Sequence, residues 1–297
     1  MKKKTTKKQL LNSFYTNITN IIIDRINQGA DSWVKCWKDV ASAGLPHNGT
    51  TNTPYKGINI FALWGSALEK GFQDSRWATY KQISAAGGQV QKGQKGTKVI
   101  FWKPLKIEEK QSDGTTKEKT IFTFRLYTVF NFEQCDGMKA PKKAAKPTET
   151  VLNDVAAAYL KREGLECKIG GNRAFYSPKK DYIKVPAKEQ FKSGLHFDST
   201  LFHEIAHSTG HPNRLNREGI TNFNYFGSHS YSFEELVAEL TAVFSMSKLG
   251  LMDETTETFE NSTAYLAGWA EKLGNQPEWL NKAAREAFKA QEYIFKA

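Results

Sequence analysis

The chain has 297 residues, of which 39% are hydrophobic and 25% are charged, and its formal net charge is +11. The length leaves room for two domains of ordinary size, and the composition is normal for a soluble protein. No apolar run approaches the ~20 residues that a membrane-spanning helix requires, so we expect no membrane partner. Three widely spaced cysteines, Cys36, Cys135 and Cys167, argue against a disulfide framework and a cysteine zinc site, so we expect a cytoplasmic protein with reduced thiols.

The first half of the chain is predicted to be an α+β region. Apolar residues at three- and four-residue steps predict a helix over residues 8–28, and a second helix is predicted over Ile58–Lys70. Strand signals then dominate at Lys98–Trp102 and Ile121–Phe130, where β-branched and aromatic residues are frequent. The half ends in Ala140–Thr150, whose lysine, alanine and proline content is typical of a linker.

The second half is predicted to be mostly helical. A helix over Val151–Gly164 is followed by a hairpin, with short strands at Ala174–Tyr176 and Tyr182–Val185 around a proline-containing turn. Two more helices are predicted near the end of the chain, Thr263–Leu273 and Trp279–Phe295. The predicted fold class is therefore α+β with two domains: an N-terminal α+β domain over 1–135, a linker over 136–150, and a C-terminal, mostly helical domain with a small β-hairpin or sheet over 151–297.

Between the hairpin and the last helices lies the motif His203-Glu204-Ile205-Ala206-His207. Residues i and i+4 share one face of an α-helix, so both imidazoles can bind a single cation. Glu204 is the candidate general base that accepts a proton from water. Asp198 or Ser199 is the candidate N-cap of this helix. The motif is typical of zinc hydrolases, and we expect one zinc ion per chain, with manganese or cobalt as possible substitutes in vitro.

A third ligand is expected on the next predicted helix, Phe233–Phe244, which carries acids on an apolar background. Glu235 is the candidate because an acid flanked by apolar residues is costly to bury without a cation, and Glu234 is the alternative. Glu239, one turn later, is expected to hold a ligand histidine by accepting its other ring N–H. Glu235, Ala238 and Glu239 match the E-x-x-A-E form that is typical of Glu-type zincins.

Other histidines and tyrosines lie near the motif in sequence. His211 follows His207 by four residues, which would place it on the same face of a continuous helix. Gly210 and Pro212 are expected to end the helix near His211. We therefore assign His211 a structural role or a role in supporting the ligands from behind. His196 and His229 are expected to be surface or loop histidines, with an approach to the site as the alternative. Tyr225 and Tyr231, in the segment before the Glu235 helix, are candidate donors to a tetrahedral intermediate.

Charge and aromatic residues are concentrated in the first half of the chain. Residues 1–146 contain 25 Lys and Arg and 11 Asp and Glu, a net charge of +14, whereas residues 147–297 have a net charge of −3. From Trp33 to Trp102-Lys103, aromatic residues alternate with basic ones, and such regions hold single-stranded nucleic acid because bases stack on rings while lysines contact phosphates. The candidate DNA-binding residues are Trp33, Trp37, Tyr55, Lys56, Asn59, Trp77, Lys81, Lys92, Lys95, Lys98 and Arg125.

Two alternatives to DNA binding stay open for these residues. A lysine-rich surface is also a general feature of soluble proteins, and the Gly/Lys-rich turn Gly87–Lys98 also suits an exposed hairpin. Tryptophans often pack in a core, and we expect at least half of the seven tryptophans to be buried for that reason.

Several motifs from both halves occur together in this chain: Asn48-Gly49-Thr50, Pro54-Tyr55-Lys56-Gly57-Ile58-Asn59, Trp77-Ala78-Thr79-Tyr80-Lys81-Gln82, Gly87-Gly88-Gln89-Val90, Tyr176-Ser177-Pro178, His203 to His211, and Ala264-Tyr265-Leu266. In these motifs the chain resembles the ArdC-type antirestriction proteins of plasmids, phages and integrative elements. The resemblance implies a single-stranded-DNA-binding N-terminal domain and a metallopeptidase-like C-terminal domain, in a protein that protects incoming DNA from host restriction.

Three interpretations of the function stay open. In the first, the chain is a DNA-binding shield whose zincin fold is a scaffold. In the second, it is a DNA-tethered zinc metallopeptidase that cleaves a protein related to host restriction. In the third, suggested by the presence of similar N-terminal modules in plasmid primases, it is a primase-associated protein that coats a strand during conjugation. An intact motif does not by itself decide whether the domain turns over a substrate.

Overall fold

The computed structural model describes residues 6–28, 44–110, 116–139, 149–221, 229–251 and 263–296. The chain forms two compact units. The helical unit comprises Met1–Leu45, Tyr55–Gln73 and Lys142–Ala297, and the sheet unit comprises Pro46–Pro54 and Asp74–Pro141. Within the described ranges, no helix combines the length and the apolar character that crossing a membrane requires.

The first half of the chain contains helices, short strands and one long hairpin. In chain order its elements are α1 (Lys7–Asn27), β1 (His47–Asn48), α2 (Ile58–Lys70), β2 (Arg76–Thr79), α3 (Tyr80–Ala85), β3 (Gln89–Val90), β4 (Thr97–Lys110), β5 (Thr116–Asn131) and β6 (Cys135–Asp136). The predicted helices over 8–28 and Ile58–Lys70 are confirmed. Both strands of the hairpin are longer than predicted, because their outer parts carry charged residues that an apolar strand pattern does not detect.

The sheet unit is built on a four-stranded sheet of order β1-β2-β5-β4, and β3 pairs with β6 beside it. β1 is parallel to β2, and the other neighbouring strands are antiparallel. A small core forms under the sheet from buried residues that include Ile83 and Phe132. The backbone at Gly49 approaches this core so closely that an added Cβ would lie 2.4 Å from the ring of Phe132, which requires glycine there.

A two-stranded ribbon extends from this sheet. β4 pairs with β5 from Thr97 opposite Val129 to Lys110 opposite Thr116. β2 pairs with β5 only over Val129–Asn131, so the rest of β5 has β4 as its strand neighbour in the sheet order. We call the paired segments 97–110 and 116–129 the ribbon. Val99 and Ile100 at the base of the ribbon are buried, whereas Trp102 and Phe122 farther along it are exposed.

The second half of the chain is mostly helical, as predicted, with one small sheet. Its elements are α4 (Glu149–Glu163), β7 (Glu166–Ile169), β8 (Phe175–Ser177), β9 (Tyr182–Val185), α5 (Gly194–Ser208), α6 (Glu218–Thr221), α7 (His229–Lys248), α8 (Thr263–Asn275) and α9 (Glu278–Ile294). The predicted hairpin is confirmed as β8 and β9. β7 was not predicted; it pairs in parallel with β9, and a parallel pair leaves no local turn signal in the sequence.

The helix that carries the histidine motif begins earlier than predicted. Its N-cap is Ser193, whose side chain accepts the backbone N–H of His196. The predicted caps Asp198 and Ser199 are wrong, because both lie buried inside α5, one turn after its start. The added turn precedes the motif, so the backbone around His203 is in the helix interior, where its geometry is regular.

The helical unit also includes α1 and α2 from the first half of the chain. The hydroxyl of Thr19 donates to the carbonyl of Pro277 at 3.2 Å, and the side chain of Asn281 donates to the hydroxyl of Tyr15 at 3.2 Å. The two compact units therefore do not coincide with the predicted domains 1–135 and 151–297. Those domain boundaries stay a prediction about sequence modules. Amphipathic α1 needs an apolar partner, and within the helical unit it packs on α8, α9 and α2.

We predict that Ile22→Ala destabilises the helical unit by about 2–4 kcal/mol, because Ile22 is 4% exposed and its replacement leaves a cavity. The adjacent Ile21 is 39% exposed and is the matched control, for which Ile21→Ala is expected to cost less than about 1 kcal/mol. Urea unfolding of the full chain measures both. Equal midpoints for the two variants would contradict the packing of α1.

Candidate metal centre

Two packed helices bring the candidate site together. α5 presents His203, Glu204 and His207, and α7 presents Glu234, Glu235 and Glu239. Both helices also bury apolar side chains, including Phe202, Ile205, Val237 and Leu240. Because the helices are held by these apolar contacts, the polar side chains between them have few alternative positions.

Three candidate ligands converge on one point. The Nε2 atoms of His203 and His207 are 3.1 Å apart. Glu235 directs one carboxylate oxygen toward each of them, Oε2 at 3.5 Å from His203 Nε2 and Oε1 at 3.5 Å from His207 Nε2. One ligand atom from each of the three residues lies within 4.8 Å of the other two. In the described part of the chain, these three residues form a group that can hold a metal ion.

Each histidine is held from behind by a second carboxylate. Glu239 Oε2 lies 3.0 Å from His203 Nδ1, the contact that the sequence predicted for Glu239. Glu234 Oε1 lies 3.3 Å from His207 Nδ1. Glu234, the alternative ligand of the sequence analysis, thus contacts the far side of an imidazole. A proton on each Nδ1 leaves the Nε2 lone pairs facing each other and Glu235, an arrangement that suits a divalent cation.

Arg217 binds Glu234 inside the protein. Its guanidinium donates to both carboxylate oxygens, Nε to Oε2 at 3.0 Å and Nη2 to Oε1 at 2.5 Å. It also donates to the hydroxyl of Thr209 and to the carbonyl of Ala206 in α5. An added Cβ at Gly210 would lie 3.0 Å from the guanidinium, so the chain passes too closely there for a larger residue. Sequence reasoning missed Arg217, because nothing local distinguishes it from a surface arginine.

The charges of the site follow from burial and pairing. Burial alone lowers the pKa of His203, but hydrogen bonds to Glu235 and Glu239 outweigh it and hold the pKa well above its usual value. Burial raises the pKa of Glu234, but the charge and hydrogen bonds of Arg217 outweigh it, so the pKa is lowered overall and the carboxylate stays ionised. The site therefore holds more negative than positive charge around two imidazoles, which favours a bound cation.

Glu204 lies beside the ligands in a different environment. It is buried, and burial raises the pKa of its carboxyl group, while the neighbouring imidazoles and the backbone N–H of Tyr176 oppose the rise. The N–H of Tyr176 belongs to β8, so the small sheet and α5 together orient this carboxylate. A cation held by the three ligands would favour the ionised form further. An oriented carboxylate with a raised pKa is suited to accepting and returning a proton.

The other residues near the motif have structural contacts. His211 lies in the turn after α5, where its Nδ1 accepts the backbone N–H of Asn213 at 3.3 Å, and α5 ends before it, as predicted. His196 is in the first turn of α5 rather than in a loop, and its ring contacts Phe191. Two tyrosines and one histidine of the sequence analysis have side chains outside the described residues: Tyr225, Tyr231 and His229.

The candidate DNA-binding residues separate into buried and exposed groups. Trp77 is 1% exposed, and Tyr55 and Asn59 are also buried, so the proposed contacts of these three side chains with DNA are wrong. Core packing, the alternative to DNA binding in the sequence analysis, accounts for the buried rings. At least four of the seven tryptophans are buried: Trp64, Trp77, Trp269 and Trp279. Periodicity did not distinguish these rings from exposed ones.

The basic candidates are on the surface. The exposed members of the set are Lys56, Lys81, Lys92, Lys95, Lys98 and Arg125. Lys56 is engaged within the helical unit, with its ammonium 2.7 Å from Glu292. Trp33 and Trp37 lie outside the described residues. The surface of the sheet unit also exposes apolar side chains that the candidate set did not include, with Trp102 and Phe122 among them.

Comparisons with known proteins cover both halves of the chain. A family model described as the N-terminal domain of anti-restriction factor ArdC matches residues 12–130. A second, described as a zincin-like metallopeptidase, matches residues 154–286. Two solved structures of the antirestriction ArdC protein from the R388 plasmid are 33% identical in sequence to the chain. Each alignment covers 94% of this chain and 96% of the solved chain. The TM-score is 0.75 for the metal-free structure and 0.72 for the Mn(II)-bound structure.

Curated relatives extend the comparison. Two proteins named DNA primase TraC from Escherichia coli are 35% and 33% identical over 95% of the chain, which spans 20% and 27% of their length. An uncharacterized protein, y4eC of Sinorhizobium fredii, is 30% identical over 278 residues, which are 92% of the chain and 88% of the relative. The similarity to the primases therefore concerns a minor part of those proteins.

We predict that Arg217→Lys weakens divalent metal binding about 10–100-fold, because lysine cannot form two parallel bonds to Glu234 and so no longer fixes His207. Arg214→Lys is the matched control, because the side chain of Arg214 is 3% exposed, donates to both oxygens of Asp181 at 2.9 Å, and also contacts Glu163. Both variants should lower the unfolding temperature, but only Arg217→Lys should weaken metal affinity in a chelator competition. Equal metal affinity in the two variants would contradict the role of Arg217.

Proposed function

Because the chain belongs to the ArdC family of antirestriction proteins, we propose that it acts in the cytoplasm, binds single-stranded DNA, and protects incoming DNA of a mobile element from host restriction. The observation that carries this proposal is that the similarity extends over nearly the whole length of both proteins. The alignments with the ArdC structures cover 94% of this chain and 96% of the ArdC chain. The primases do not carry an equivalent proposal, since the chain spans 20% and 27% of their length.

The proposed mode of DNA binding uses exposed cations and rings. Residues 1–146 have a net charge of +14, and exposed lysines such as Lys92, Lys95 and Lys98 suit phosphate contacts. Bases are accessible to rings only in a single strand, so a surface of exposed aromatics and lysines favours single-stranded over duplex DNA. The mildly acidic second half offers less to a polyanion.

The proposed metal ligands are His203, His207 and Glu235, with one ion per chain. Two imidazoles and one carboxylate that leave an open position suit catalytic zinc, and manganese or cobalt are expected to substitute in vitro. The converging Nε2 atoms and the carboxylates behind both rings support this assignment. When bound, such an ion supplies a Lewis acid that polarises a substrate oxygen.

A second candidate function is peptidase activity on a protein related to host restriction. The observation that favours it is the environment of Glu204, a buried carboxylate that the N–H of Tyr176 orients beside the ligands. In that role Glu204 takes a proton during attack by water and returns it to the leaving amine. A zincin fold that served only as a scaffold would not require the Glu204 carboxylate. A third candidate, a strand-coating protein associated with a primase, requires DNA binding and no peptidase.

We expect His203→Ala to abolish stoichiometric metal binding and to lower the unfolding temperature measured with metal present, because metal binding is linked to folding. His211→Ala is the matched control, since His211 lies in the turn after the same helix and contacts Asn213. Elemental analysis should find about one ion per chain in the control and in the wild type. One ion per chain in His203→Ala would remove this residue from the ligand set.

Glu204→Gln separates protection from proteolysis. The variant should keep metal and DNA affinity, because only the proton acceptor is removed. If protection depends on DNA binding, as we propose, unmodified DNA introduced into a restricting host should survive as well with Glu204→Gln as with the wild type. Loss of protection with normal metal and DNA affinity would make the peptidase the effector. Absence of protection by the wild type would contradict the antirestriction function itself.

A further inference from the structure

We propose that one face of the ribbon, the face that carries Trp102 and Phe122, is the surface on which bases of single-stranded DNA stack. The inference rests on the proposed DNA binding and adds its location. It replaces Tyr55 and Trp77, whose burial removes them as stacking platforms. Four features of the ribbon support it: the face that Trp102, Phe122 and Phe124 share, the exposure of these rings, the charge around them, and the edge that β4 presents.

The pairing of the ribbon places Trp102, Phe122 and Phe124 on one side, whereas Phe101 and Tyr127 lie on the other. In an antiparallel pair, residues opposite each other share a face, and every second pair returns to that face. Trp102 is opposite Phe124, and Pro104 is opposite Phe122. These four residues therefore lie on one face, which we call the tryptophan face. The rings of Trp102 and Phe124 contact each other, with their centroids 5.5 Å apart, so they form a continuous aromatic surface.

The tryptophan face is accessible because the core ends before it. Val99 and Ile100 are buried, whereas Trp102 is 45% exposed and Phe122 is 68% exposed. Large apolar side chains exposed side by side are uncommon on soluble proteins and mark binding surfaces. Rings separated by two residues on one strand are about 6.6 Å apart, so successive bases of an extended strand can each meet a ring.

The charge around the rings suits a polyanion. The paired segments 97–106 and 120–129 contain four basic residues and no acid: Lys98, Lys103, Lys106 and Arg125. Lys98 and Lys106 lie on the tryptophan face, on either side of the two ring-bearing pairs. Acidic residues of the ribbon lie farther along it, where Glu109 pairs with Lys119 at 2.9 Å. Stacking surfaces with flanking cations and no acid favour nucleic acid over an apolar protein surface.

The edge of the ribbon argues against a second copy of the chain as the occupant. β4 is the edge strand of the sheet order β1-β2-β5-β4, and an exposed edge can add a strand from another molecule. Pro104 lies in β4 and lacks the N–H that such a strand would need, and Lys103 and Lys106 flank it. Proline and lysine are residues that protect edge strands from pairing. The outer edge of β4 is therefore poorly suited to adding a strand from a second copy.

The test uses the full chain and a fluorescein-labelled oligodeoxythymidylate, with fluorescence anisotropy at fixed salt. The double variant Trp102→Ala/Phe122→Ala is expected to bind the oligonucleotide roughly 25-fold or more weakly, about fivefold for each lost ring. Trp102→Leu/Phe122→Leu keeps apolar side chains at both positions and should lose a similar factor, because leucine has no π face. Normal binding by the leucine variant, with an unchanged unfolding temperature, would overturn the proposal.

Leu105→Ala is the matched control. Leu105 is 47% exposed on the same ribbon, but on the opposite face, so its loss should leave the affinity within about twofold. An equal loss in this control would overturn the assignment of the face. A wild type that does not bind the oligonucleotide would instead contradict the proposed function. If the ring variants bind DNA normally but lose self-association in sedimentation, the ribbon is a protein interface and the proposal is wrong.

Discussion

The packing of α5 against α7 places six charged or ionisable groups inside an apolar interface, and the burial of these charges constrains the whole centre. A buried carboxylate is stable only when a partner neutralises it or donates hydrogen bonds. Glu234 has Arg217, and Glu239 has His203. Glu235 faces both Nε2 atoms. The same arrangement that satisfies the charges therefore aims the imidazoles at one point, and a cation there lowers the electrostatic cost of burying the acids.

The constraint extends outward through a pair of arginines. Arg217 links α7 to the last turn of α5, and Arg214 links the turn after α5 to Asp181 beside β9 and to Glu163 at the end of α4. Tyr176 completes the connection, since its hydroxyl donates to Asp181 while its backbone N–H donates to Glu204. The small sheet, α4 and α5 are thus connected by hydrogen bonds to charged groups, which are stronger and more directional than neutral ones.

Compact units and sequence modules are not the same in this protein. α1 precedes the sheet unit in sequence and α2 lies between its two segments, but both pack in the helical unit, where Trp64 contacts Phe244 with ring centroids 5.9 Å apart. The basic, aromatic character of the first half is therefore shared between the two units. Only the exposed part of it is available to a ligand, and in the sheet unit that part includes the ribbon, where β4 and β5 extend beyond the third strand.

The sequence by itself determined the local elements and the motif: the helix Ile58–Lys70, the β8–β9 hairpin, and the imidazoles that share a helix face all follow from spacing between near neighbours. Tertiary structure alone decided which of two adjacent acids faces the Nε2 atoms of the imidazoles, because Glu234 binds Arg217, 17 residues away, and contacts only the far side of His207. It also decided that Trp77 is buried while Trp102 is exposed. Burial depends on contacts between distant segments, and residue type and periodicity carry no record of those contacts.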